Sequence, residues 1–303
     1  MKKRIMITKD DFSDDRILIP YIAKQLAKGR LSLILGAGVS VPFGLPKWED
    51  LIKKLYKAKK TSRPKVISFE SLAEYFRSEF YKNDYDGYIK AIHKDLYEGA
   101  DTSFHALRLN RTLAAIGSLV MASRRGSVSE VITFNFDNLL ELYLSYHGFV
   151  TKSSSLNDYL DWVDYSDVTV YHLHGMIPFD IINQGYSKKI IFDQKSFSEI
   201  IGQENNPWRQ LVLTLMRRHI CLFIGLSGDD MNLDSILCSV HKSHTICVNK
   251  TPYWEITFST DGDPVKAGQW EDRGVFYKNI SNYEHDLPEF LFSVCQEAAK
   301  IIE

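Results

Sequence analysis

The sequence predicts an α/β protein built on a Rossmann-like, doubly wound, mostly parallel sheet, with a helical module inserted in it. Three observations predict this. Apolar runs of strand length recur at Leu31–Leu35, Glu130–Phe134, Val168–His172 and Ile220–Ile224. Stretches with apolar residues at helical spacing separate them. Strands that alternate with helices form parallel sheets, because each parallel neighbour is reached through a crossover.

Taken in order, the charged residues 1–12 read as a loose arm. Ile17, Leu18, Tyr21, Ile22 and Leu26 then mark a helix that Gly29 can close. Leu31–Leu35 is the first buried strand. Trp48, Leu51, Ile52, Leu55 and Tyr56 mark an amphipathic helix, and the cation-rich Lys57–Lys65 reads as a solvated loop. Residues 68–123 show three helices, around Phe69–Phe76, Tyr88–Leu96 and Phe104–Met121, and no strand. The range 47–127 is therefore the inserted helical module. A strand at Glu130–Phe134, a helix near 138–147 and a polar loop over 151–166 follow. Val168–His172 and Lys189–Phe192 read as strands, Pro207–Arg218 as a helix, and Ile220–Ile224 as the central strand. A helix over Leu233–Val240, strands at Thr245–Val248, Trp254–Phe258 and Val275–Tyr277, and a C-terminal helix within 286–303 complete one domain spanning 1–303.

Composition narrows the function. The 303 residues are 45% hydrophobic, enough for a sizeable core. A net charge of −1 gives no basic field for nucleic acid. Cys221, Cys238, Cys247 and Cys295 are widely spaced and no Cys-x-x-Cys occurs, so neither a disulfide framework nor a zinc ribbon is expected. The N-terminus lacks the apolar core of a secretory signal and no run is long enough to span a membrane, so a cytoplasmic protein is expected.

Four motifs carry chemistry. Gly36-Ala37-Gly38 follows the first strand, where backbone N–H groups can face a diphosphate. Val41 stands where a dinucleotide fingerprint needs its third glycine, and the Gly-Lys-Ser/Thr of a phosphate loop is absent. On the residues alone this is equally a plain strand-to-loop turn. The longer pattern, Gly36-Ala37-Gly38-Val39-Ser40 followed by Gly44-Leu45-Pro46 and Trp48, resembles the first NAD-binding motif of the sirtuin-like family. Thr133-Phe-Asn135-Phe-Asp137-Asn138 resembles its Thr-x-Asn-x-Asp motif, and His172-Leu-His174-Gly175 its His-Gly motif. Phe223-Ile-Gly225-Leu-Ser227-Gly-Asp-Asp230 resembles its Gly-x-Ser segment.

The resemblance implies that NAD+ is bound as a substrate; zinc-bearing sirtuins build their small module around four cysteines, and without a Cys-x-x-Cys no zinc is expected here. It implies roles for Gly36, Ala37, Gly38, Ser40, Pro46, Asp137, Gly225, Ser227 and Asp230, and for Asn249 as an adenosine-ribose contact. Cleaving the nicotinamide–ribose bond releases a neutral leaving group, and the difficulty is charge developing on the ribose, as in glycoside hydrolysis. An amide such as Asn135 can orient ribose and water. A histidine can serve as base near neutral pH, and His174, beside Gly175, is the expected one. His172 is expected to share its face of the strand and support it. Asp137 and Asp230 fit helix N-caps as well as ligand contacts, and Trp48 fits a core position.

Sirtuin-like proteins of bacterial antiphage defence are NAD+ hydrolases, so the resemblance implies an NAD+ glycohydrolase acting by NAD+ depletion. An NAD-dependent deacylase or ADP-ribosyltransferase, or a non-catalytic nucleotide sensor, are the alternatives; the missing cysteine module weighs against the first. Unrestrained hydrolysis would drain the cell's own cofactor, so the resemblance also implies control through a homo-oligomer or a partner protein. A HerA-type hexameric ATPase is the favoured partner, with neither nucleic acid nor membrane engaged directly.

Overall fold

A computed structural model describes residues 9–64, 68–122, 127–155, 165–187, 189–200, 203–228, 231–245 and 255–301. In chain order it comprises α1 (Lys9–Ser13), α2 (Asp15–Leu26), β1 (Leu31–Leu35), two short 3₁₀ turns (Ala37–Val39 and Val41–Phe43), α3 (Trp48–Ala58), α4 (Phe69–Phe80), α5 (Tyr85–Tyr97), α6 (Phe104–Leu109) and α7 (Arg111–Met121). Then follow β2 (Glu130–Thr133), α8 (Leu139–Tyr146), β3 (Thr151–Ser155), β4 (Val168–His172), α9 (Ile181–Gln184), α10 (Gln194–Ile200), α11 (Pro207–Arg218) and β5 (Ile220–Ile224). The chain closes with α12 (Met231–Thr245), β6 (Glu255–Ser259), α13 (Pro264–Asp272), β7 (Val275–Asn279) and α14 (Asp286–Ile301).

The strands form one seven-stranded sheet in the order β3-β4-β2-β1-β5-β6-β7. The β1–β5, β3–β4, β5–β6 and β6–β7 pairs are parallel. Every residue of β1 and β5 is buried, as expected for strands covered on both faces. The fold is the predicted Rossmann-like α/β class.

Two compact units make up the chain. One comprises residues 1–35, 110–132 and 210–303, and the other 36–109 and 133–209. In the first, α14 buries Leu287, Leu291 and Val294 and packs on α2 and α7. In the second, the buried face of α3 (Leu51, Ile52, Leu55, Tyr56) meets α4 and α5. There the Tyr56 hydroxyl donates to the Leu72 carbonyl at 2.9 Å.

Several elements depart from the sequence reading. Within the supposed arm, Lys9–Ser13 is helical because Phe12 is buried and packs against Tyr21 and Phe276; residues 1–8 lie outside the described set. The helix expected over Phe104–Met121 is two, since the Asn110 side chain caps α7 by accepting from the Leu113 N–H at 2.8 Å. Part of the expected loop 151–166 is the strand β3, paired along its length with β4. Lys189–Phe192 is not a strand but an extended loop tied by single hydrogen bonds. The strand expected at Thr245–Val248 lies outside the described residues except for Thr245, which ends α12.

Candidate functional site

The segment after β1 leaves the strand at Gly36, whose backbone is extended (φ −130°), and winds through the two 3₁₀ turns. The amides of Val39 and Ser40 donate back to the carbonyls of Gly36 and Ala37, so these two N–H groups serve the turn itself. The left-handed glycine of this stretch is Gly44 (φ +87°), and a Cβ there would stand 3.0 Å from the Gly99 carbonyl oxygen. Pro46 then leads into α3, which Trp48 opens.

The residues after β2 meet this loop through side chains. Asn135 Nδ2 donates to the Gly36 carbonyl and to Ser40 Oγ, both at 3.1 Å. Ser40 Oγ in turn donates to Asp137 Oδ2 at 2.8 Å. Asp137 Oδ1 accepts from the N–H of Leu139, the first residue of α8, at 3.2 Å. The structure thus brings Gly36, Ser40, Asn135 and Asp137 into one hydrogen-bonded chain. Burial pushes the Asp137 carboxyl above its ordinary range; the Ser40 and Leu139 hydrogen bonds pull the other way, and the Glu141 charge pushes it further up.

A cavity of about 60 Å³ opens on this chain. Its polar side chains are Ser40, Asn135 and Asp137; Ala37 and Pro46 also line it, with Trp48, Phe134, Phe136 and Phe192 among the apolar walls. Trp48 stacks on Phe192 with centroids 5.1 Å apart. Its indole Nε1 is buried without a hydrogen-bond partner. Trp48 is therefore a cavity wall as well as a packed residue. The loop 189–192 brings Phe192 here. It is strapped to the turn after β4 by the Ile191 N–H, which donates to the His174 carbonyl at 2.8 Å. Gly175 permits that approach, with φ +87° and a Cβ position only 2.6 Å from the Lys189 carbonyl oxygen.

The two histidines do not share a strand face. β4 ends at His172, and His174 lies in the turn beyond. His172 is fully buried, with Nε2 2.6 Å from Glu141 Oε1 and Nδ1 3.2 Å from the Asn135 carbonyl. Burial alone would favour the neutral ring. The charge and hydrogen bond of Glu141, the Asn135 carbonyl and the Asp137 charge outweigh it, so the imidazole is held above its ordinary range. His174, 1% exposed, sits edge-on to Phe134 and Trp48 at 5.1 and 5.8 Å, behind rings that wall the cavity.

In the other unit, β5 ends at Gly225 (φ +76°), whose N–H donates to the Tyr283 hydroxyl. Ser227 is exposed in the following loop, and a Cβ on Gly228 would press within 2.9 Å of the Trp270 ring. Asp230 and Asn249 lie outside the described residues. Among the described residues no cluster of three or more His, Cys, Asp or Glu is placed to hold a metal ion. Also among them, no helix is long and apolar enough to cross a membrane.

Glu141 escaped the sequence reading. A lone carboxylate in the apolar run Leu139-Leu-Glu-Leu-Tyr-Leu144 was its signal, because a charge on a buried face requires a partner.

Residues 129–278, which include Asn135, Asp137, His172, His174 and Gly225, match the family model of the SIR2-like domain. Over those residues the chain is similar to a SIR2-like domain. It is also 22% identical, over 228 residues, to the NAD(+) hydrolase ThsA of Acinetobacter baumannii (strain 532279), a match covering 75% of this chain and 42% of that protein. The chain thus spans less than half the length of that curated relative.

Proposed function

We propose that the chain is an NAD+ glycohydrolase in which water replaces nicotinamide on the ribose, releasing nicotinamide and ADP-ribose. The observation that carries this reading is the convergence of Asn135, Ser40 and Asp137 on an aromatic-walled cavity. The SIR2-like match and the named hydrolase among its relatives support it. In this reading the nicotinamide ring lies against the aromatic walls. Asn135 Nδ2 is committed to Gly36 and Ser40, so Oδ1 orients the attacking water, and the Asp137 carboxylate faces the charge developing on the ribose. His172 is not assigned as the base, since both of its nitrogens are already engaged, Nε2 with Glu141 Oε1 and Nδ1 with the Asn135 carbonyl. The base is His174, which reaches the ribose once the rings over it part for the substrate.

The test is nicotinamide release from NAD+ by the pure protein, with and without an acyl-lysine peptide. Asn135→Ala or His174→Ala should each lower turnover by about 10²–10⁴; near-normal turnover in folded His174→Ala removes that residue from the mechanism. The same reading makes activity conditional on self-assembly or a partner chain, in keeping with a defence role through NAD+ depletion.

A further inference from the structure

Beside the cavity lies a buried ion pair that the reaction above does not use. His172 of β4 is completely enclosed. Its Nδ1 faces the Asn135 carbonyl, which can only accept, so Nδ1 carries a hydrogen. Its Nε2 faces Glu141 of α8, and Ser153 of β3 donates to the same carboxylate oxygen at 2.9 Å. A carboxylate acceptor at Nε2 requires a hydrogen there too. With a carboxylate at Nε2 the ring is an imidazolium with both donors engaged, and a ring that loses one proton to solvent would have to abandon one acceptor.

The acceptor at stake belongs to Asn135. That residue is held at three points: its N–H donates to Thr133 Oγ1 at 3.1 Å, its side-chain amide donates to the glycine loop, and its carbonyl accepts from His172. We propose that Glu141 and His172 form a charged positioning unit, which sets Asn135 in working geometry only while His172 carries both ring protons. The activity readout rests on the hydrolase reading; the state of the ring does not.

The ionisable groups facing this unit are few. Asp137 lies on the loop before α8 and adds its charge to that of Glu141. From α5 comes Tyr97, held neutral by burial and by those two carboxylates, its hydroxyl donating to the Ile177 carbonyl at 2.9 Å. The folded-state pKa of His172 is raised. The positioning is then fully present below the ordinary histidine value and lost as pH rises through the folded one.

The experiment measures kcat and KM for NAD+ on the full chain from about pH 6 to about pH 10, alongside nitrogen NMR of the ring. In the wild type, kcat should fall about tenfold or more on the alkaline limb with KM little changed, because small displacements of a positioning group are costly. Glu141→Gln should abolish that limb. Its amide can donate to Nε2 and leave the remaining Nδ1–H on the Asn135 carbonyl. An identical alkaline limb in Glu141→Gln overturns the proposal. So does a neutral His172 ring in the wild type at neutral pH, a result that needs no variant to fold. Wild-type protein without NAD+ turnover at any pH, at raised protein concentration and with a partner chain added, sinks the hydrolase reading instead, and the ring spectrum then decides the ion pair by itself.

Discussion

Ser40→Ala tests whether the serine of the glycine loop is a structural link rather than a ligand contact alone. Its hydroxyl accepts from Asn135 Nδ2 at 3.1 Å and donates to buried Asp137 Oδ2 at 2.8 Å. A neutral hydrogen bond contributes about 0.5–1.5 kcal/mol net and one to a charged group about 1.5–3 kcal/mol, so losing both should cost about 2–4.5 kcal/mol at neutral pH. The loss depends on pH in a defined direction. Burial already raises the folded-state pKa of Asp137, so this group's contribution is fully present below the unfolded value and lost as pH rises through the folded one. Removing Ser40 takes away a hydrogen bond that lowers this pKa. The deficit of the variant should therefore shrink as the pH is brought down and Asp137 takes up its proton. Urea unfolding at neutral and at mildly acidic pH measures both effects. A variant within about 0.5 kcal/mol of wild type at neutral pH would refute the argument, since that is the range of an uninvolved surface substitution.

Two further substitutions probe the frame. Gly175→Ala forces a side chain into left-handed backbone and against the Lys189 carbonyl; a loss of about 1–3 kcal/mol in urea unfolding is expected, and an unchanged midpoint would show that the loop is not strapped there. Glu255 is buried in β6 with Oε1 lacking a partner, and burial raises its carboxyl well above the ordinary range. Its stabilising contribution is thus fully present below the unfolded carboxylate value and lost as pH rises through the folded one, so Glu255→Gln should gain thermal stability over wild type towards alkaline pH. Parallel melting curves for the two proteins at all pH values would contradict this.

The strands β1, β2, β4 and β5 were legible because burial on both faces demands nearly unbroken apolar runs. β3, Thr151-Lys-Ser-Ser-Ser155, was not, since it lies at the edge of the sheet and is specified by backbone pairing with β4 rather than by apolar side chains. Lys189–Phe192 misled for the converse reason: Ile190, Ile191 and Phe192 are buried, but as loop residues around the His174 turn. At the site, the motif residues announced themselves, whereas their connections did not. Nothing in a linear pattern says that Ser40 joins Asn135 to Asp137, or that His172 spends its second nitrogen on a carboxylate from the next helix.

The β1–β5 pairing sets Leu31 against Ile220, which has a consequence for biosynthesis. At about 5–20 residues per second, a ribosome needs about 10–40 s to make the chain between those two partners. Throughout that interval one edge of a strand whose residues all end up buried waits for its neighbour, while all of residues 36–109 and 133–209 have been made before β5 emerges. The cavity-bearing unit can therefore assemble early on the nascent chain. The other unit closes late, and until then its unpaired strand edge is open to pairing with other chains.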